Sequence, residues 1–169
     1  MIKSFTLAVL AISGSATELE RSEKNCNCVS YPGRISLTSE NAIVTAEFDV
    51  RGGGTGGEFV KNILSGGEEA WNKWYQGKSA TSWVLVDFNG DVRDLTGFAF
   101  KSANDVPSRD PKHVDVYAWI EGETDKTQIG SYDLSFDARW ETTDEFELNV
   151  ESVRATKVEF QFYNSNTAI

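Results

Sequence analysis

From residue 41 onward the chain is written in short apolar–polar alternations with a period of two, the pattern of half-buried β-strands. NAIVTAEFDV at 41–50 is rich in β-branched residues. SWVLVDF at 82–88 alternates and ends at the turn Asn89-Gly90-Asp91, and LTGFAFK at 95–101 follows it. HVDVYAWIEG at 113–122 puts Val114, Val116, Ala118 and Ile120 on one face. EFELNV at 145–150 alternates Phe146, Leu148 and Val150, and KVEFQFY at 157–163 alternates Val158, Phe160 and Phe162. Only EFVKNILSGGEEAWNKW at 58–74 has mixed spacing, and its glycines limit any helix there to about two turns. Strands separated by turn residues predict an all-β, antiparallel sandwich whose interior takes up much of the Trp and Phe.

The start of the chain reads differently. MIKSFTLAVLAISGSA has a lysine near its beginning, a short apolar run and small residues Gly14-Ser15-Ala16, the order of an export signal over 1–16. A buried N-terminal strand is the alternative. A polar leader over 17–34 precedes one domain at 35–169, and the localisation expected is secreted or extracellular. The apolar run is too short to span a bilayer, so no membrane insertion is expected.

Composition narrows the partners. The 169 residues carry a formal net charge of -10 with basic residues scattered singly, which disfavours a nucleic-acid partner. Cys26 and Cys28, the only cysteines, are too close to bridge without strain, and with the single histidine, His113, they make a poor zinc set. RGGGTGG at 51–57 lacks the Gly-Lys-Ser/Thr continuation of a phosphate loop and reads as a flexible connection. No nucleophile–base pair can be assigned to His113, which reads as a strand-edge residue, and no GxSxG turn exists. Asp105 and Asp110 could be paired carboxylates, but with an arginine in the same loop they read as an internal ion pair. The expectation is a protein that is not an enzyme and carries no cofactor.

Three stretches carry a family resemblance. NILSGGEEAWNKWY is similar to a turn of the form FDGDxxTKW. WVLVDFNGDVRDLTGFAFKSANDVPSRDPKHVDVYAW follows a pattern of an alternating strand, a TGYxLxSAND strand, then xRDPxxW. TTDEFELNVESVRATKVEFQFY is like a pair of late strands. Together, over roughly 43–169, they resemble the discoidin, or coagulation-factor type C, family of the galactose-binding-like superfamily. The nearest pattern is that of members carrying SANDxPxRDP, including some attached to peptide N-glycanase-like proteins. The resemblance implies a jelly-roll sandwich. Two departures stand out. Ser65, Gly66 and Gly67 stand where the family places carboxylates that hold a structural calcium, so no metal is expected. The sequence stops at Ile169, where the family continues into a last strand, so a sandwich lacking that strand is expected.

The resemblance also implies a ligand rim made by loops at one end of the sandwich. Its members here are Tyr75 after the TKW-like turn, then Asn104, Asp105 and Arg109, then Asn164, Ser165 and Asn166. An aromatic face for a pyranose ring, with amides, a carboxylate and a guanidinium for its hydroxyls, suits a glycan or glycoprotein partner. A protein partner in cell adhesion, or an accessory role in a larger glycan-processing enzyme, is the alternative. Trp71, Trp74, Trp83 and Trp119 read as packing rather than platforms. KSANDVPSRDPK at 101–112 reads in two ways, as ligand contact or as a loop that locks itself, with Arg109 suited to both.

Overall fold

The computed structural model describes residues 5–13, 34–35, 41–47, 59–64, 74–76, 81–104, 106–139, 143, 146–148 and 153–164. The chain order of strands is β1 (Phe5–Ser13), β2 (Arg34–Ile35), β3 (Ile43–Ala46), β4 (Trp74–Gln76), β5 (Thr81–Asp87), β6 (Arg93–Leu95), β7 (Gly97–Ser102), β8 (His113–Ile120), β9 (Thr127–Asp133), β10 (Phe146–Glu147) and β11 (Val153–Tyr163). They form two antiparallel sheets, an all-β sandwich. The larger sheet runs β3-β5-β11-β8-β9, with β6 extending the β5 side of β11. The smaller runs β10-β7-β1-β2, with β4 sharing the same edge of β1 as β2.

The alternating pattern sets which side chains meet. Val158, Phe160 and Phe162 point inward from β11 and are buried, as are Val114, Val116 and Ala118 on β8 and Val84 and Val86 on β5. From the other sheet Phe98 and Phe100 of β7 face them. Phe100 meets the edges of Phe160 and Phe162 at 5.4 and 5.2 Å, and Phe98 meets Phe160 at 5.3 Å. Phe146 stacks on Phe98, and Tyr132 meets the same ring edge-on. Each buried ring contributes about 1.5–3 kcal/mol by leaving water, and these edge contacts add roughly 0.5–1.5 kcal/mol.

Turn chemistry closes the strands. The Phe88–Asp91 turn holds Asn89 and Gly90 at φ 58 and 87, and Asp91 N donates to Phe88 O. Asn and Gly tolerate this left-handed geometry, and the Asp87 carboxylate accepts the Asn89 amide at 2.9 Å. The mixed 58–74 segment yields a 3-10 turn at Val60–Leu64, whose Val60 and Ile63 are buried. The N-terminal apolar run, composed like an export signal, is β1. It pairs with β7 along one edge and with β2 and β4 along the other. Cys26, Cys28, the 51–57 glycines, Ser65–Gly67, Trp71 and Ser165 lie outside the described residues.

Candidate functional site

One end of the sandwich collects the predicted rim. Leu7 of β1 is flanked by Ser102 of β7 on one side and Trp74 of β4 on the other, and Tyr75 sits opposite Thr6. The Trp74 ring is fully buried and 6.4 Å from Phe162, which ties β4 to the end of β11. Asn104 follows β7 directly and is exposed. Arg109 is half-exposed and Asn164, just past β11, is half-buried. Tyr75, Asn104, Arg109 and Asn164 are therefore brought to one end by the backbone, while Asp105 and Asn166 lie outside the described residues.

The loop joining β7 to β8 is shaped by its prolines. Val106 and Asp110, each before a proline, are extended at φ -66, ψ 114 and φ -67, ψ 141. Between them Pro107–Arg109 make one 3-10 turn, with Arg109 N donating to Val106 O and Asp110 N to Pro107 O. The exit is fastened on both sides: Lys112 N donates to Tyr163 O at 2.8 Å, and Leu134 N donates to Lys112 O at 2.9 Å.

A lock exists, and Arg139 closes it on Asp110. Asp110 is buried, and Arg139 holds both carboxylate oxygens, from Nη1 at 2.9 Å and Nη2 at 2.5 Å. The same guanidinium donates to Ala103 O at 3.3 Å, and Ser102 Oγ donates to Ala138 O at 3.0 Å. The segment after β9 thus grips the loop at its entry and near its exit. A planar fork matches a carboxylate in two places at once, which lysine could not do. Asp110 as an internal ion-pair carboxylate agrees with the sequence reading, and the arginine that grips it lies 29 residues away. Its signal in the sequence is nil, because no spacing rule links positions that far apart.

Beside this loop, at the start of β8, lies a polar cluster that the sequence does not announce. His113 is buried, with Nδ1 2.8 Å from Asp133 Oδ1 and Nε2 3.0 Å from Ser131 Oγ and 3.3 Å from Asp115 Oδ1. Both ring nitrogens meet carboxylates, and the Ser131 hydroxyl shares Nε2 with Asp115. Gln128 Nε2 also donates to Asp115 Oδ1 at 3.3 Å. Tyr163, opposite His113 across the β8–β11 ladder, has its phenol pushed up to about 12 by burial, by the charge of Asp115 and by its bond to that carboxylate, with Tyr117 and Glu159 adding to it. Residues two apart on one strand share a face, and antiparallel register supplies the partners.

No protein-family model matches the chain, and no curated protein does. Among solved structures the chain is similar to CpGH89CBM32-5 from Clostridium perfringens, in complex with GalNAc-β-1,3-galactose. The TM-score is 0.58 at 14% identity, over 73% of this chain and 85% of that one. It is also similar to the C-terminal domain of a chitobiase from Bacteroides fragilis, with TM-score 0.53 at 15% identity, over 75% of this chain and 84% of that one. At such identities the likeness is one of fold, an all-β sandwich.

Proposed function

We propose that the chain is a non-catalytic carbohydrate-binding module of the discoidin type, and that it takes a glycan at the end where β4, the 103–112 loop and Asn164 meet. The observation that carries this reading is the meeting of three stretches distant in sequence at one end, with the loop between them anchored by Asp110–Arg139. A fastened loop holds amide and guanidinium groups in fixed directions, which sugar hydroxyls require. Support also comes from the two solved structures of the same fold, one of them bound to GalNAc-β-1,3-galactose and the other the C-terminal domain of a chitobiase.

In this reading the Tyr75 ring offers an apolar face to the C–H face of a pyranose, Asn104 and Asn164 pair with hydroxyls, and Arg109 donates to ring or glycosidic oxygens. Asp105 and Asn166 complete the set. A glycan array of the purified chain tests it: Tyr75→Ala and Arg109→Ala should each lose binding while the melting temperature stays within about 2 °C. Unchanged binding by both variants refutes it. A protein-interaction module is the second reading. Val106, an apolar residue 44% exposed at the same loop, favours it. An array without hits, with capture of one protein that Val106→Asp abolishes, would select that reading.

A further inference from the structure

At the far end of the larger sheet a different arrangement stands on the outward face. Tyr117 and Trp119, two apart on β8, point away from the core and are half-buried. The β8–β11 register sets Glu159 opposite Tyr117 and Lys157 opposite Trp119. Lys126, in the turn before β9, folds back over this group. Its Nζ lies 4.8 Å from the centre of the Tyr117 ring, 5.8 Å from that of Trp119, and 2.6 Å from Glu159 Oε1. Lys157 is turned aside, bonded to Asp87 at 2.8 Å.

Glu159 is only 7% exposed although it lies on the outward face, and Gln161 Nε2 orients its Oε1 at 2.7 Å. A buried carboxylate, oriented by an amide and walled by two ring faces, is a receptor for a cation, because ring faces and carboxylate attract the same charge. An ammonium is seated in it in this structure, that of Lys126. This lysine comes from a turn that is exposed throughout, Glu121–Lys126, with Gly122 at φ 86, so the occupant can leave without disturbing either sheet.

We infer that Tyr117, Trp119 and Glu159 form a second ligand site, for a primary ammonium, that Lys126 fills in the absence of ligand, and that the external ligand is a non-acetylated amino sugar. A primary ammonium donates N–H bonds to the carboxylate, as Lys126 does, which a quaternary ammonium cannot. The ring pair gives a pyranose an apolar face beside its ammonium. The net charge of -10 draws cationic polysaccharide and repels anionic ones. The choice of a sugar rests on the carbohydrate-binding reading above; the ammonium receptor itself does not. Trp119 is six residues beyond His113 along β8, about 20 Å from the loop end at roughly 3.3 Å per residue, so the two sites are separate.

A tethered lysine competes at an effective concentration in the millimolar range, so a ligand of similar affinity is held off until Lys126 is removed. Titration of the full chain with a glucosamine trimer and an N-acetylglucosamine trimer, followed by calorimetry and tryptophan fluorescence, tests this. Lys126→Ala should bind the glucosamine trimer about tenfold more tightly than the parent chain, in line with loss of a millimolar internal competitor, and should not gain for the acetylated trimer. Adding Trp119→Phe or Glu159→Gln should erase the gain, and Lys126→Gln should reproduce it if Lys126→Ala is unstable. Equal affinity of parent and Lys126 variants overturns the site. An equal gain for both trimers overturns the ammonium chemistry. A gain for a lysine-rich peptide but not for the amino sugar overturns the ligand. Binding of GalNAc-β-1,3-galactose at the loop end, measured in the same variants, reports on the other site: its absence with the gain intact defeats only the loop-end reading.

Discussion

Replacing Arg139 by alanine is the sharpest test of how the binding loop is held. The substitution leaves the Asp110 carboxylate, 2% exposed, without the fork that grips both its oxygens, and strips Ala103 O of a donor. Breaking a buried ion pair by removing one partner costs about 3–5 kcal/mol, because the remaining charge is neither hydrated nor paired. The Arg139 side chain is itself 24% exposed, so water reaches part of the gap and the lower end of that range, about 3 kcal/mol, is expected. For a domain of this size that is a fall in melting temperature of roughly 6–12 °C. Asp110→Asn should cost less, about 1–3 kcal/mol, since an amide keeps a hydrogen-bonding oxygen and the cation left unpaired, Arg139, is 24% exposed to water. The double variant should cost clearly less than the two single losses added together. Thermal unfolding followed by circular dichroism reads all three. A loss below about 1 kcal/mol for Arg139→Ala, the range of a surface ion pair, or strictly additive losses, would refute the lock.

Three further outcomes are expected. Tyr163 ionises near pH 12 in the fold against 10 for an ordinary tyrosine, so its stabilising contribution is whole below pH 10 and is lost as pH rises toward 12. Melting temperatures between those pH values should fall more steeply for the parent chain than for Tyr163→Phe, and equal slopes would count against it. Gly130→Ala drives a methyl group into the Tyr132 ring, which must leave its edge contact with Phe98 and its bond to Glu147 O. A loss of about 1–3 kcal/mol in urea unfolding is expected, and a neutral result would show that the ring relocates freely. Gly122→Val, at φ 86 with open space around it, should cost about 1–2 kcal/mol through backbone strain alone; no loss would mean the turn readily changes type.

The inward rows Val158-Phe160-Phe162 and Val114-Val116-Ala118 were legible because burial on one face imposes a period of two. The outline of β3, β5, β7, β8, β10 and β11 followed from the same rule. What escaped lacks that constraint. β9, TQIGSYD, is an edge strand with Gly130 inside and Ser131 and Asp133 exposed, so it shows no alternation. β4 and β6 have three residues each, too few to express a period, and exist because β1 and β11 offer them edges. Of the loop-end residues, sequence could bring Tyr75, Asn104, Arg109 and Asn164 together only through likeness to a known pattern. Arg139 was invisible, since its partner Asp110 is fixed by tertiary folding alone. Trp119, read from sequence as packing, instead stands on the outward face under Lys126.

β11 is the axis of the larger sheet, with β5 and β6 along one edge and β8 along the other. It is also the last strand described in the chain. During synthesis the ribosome releases β3, β5 and β8 first, and none of β3, β5 or β6 can join β8 until Val153–Tyr163 emerges between them. At about 5–20 residues per second, the roughly forty residues from the end of β8 to the end of β11 take on the order of 2–9 s. For that interval the apolar faces of Val84, Val86, Val114 and Val116 wait without their partner, and the nascent chain depends on chaperones, or on speed, to stay out of aggregates.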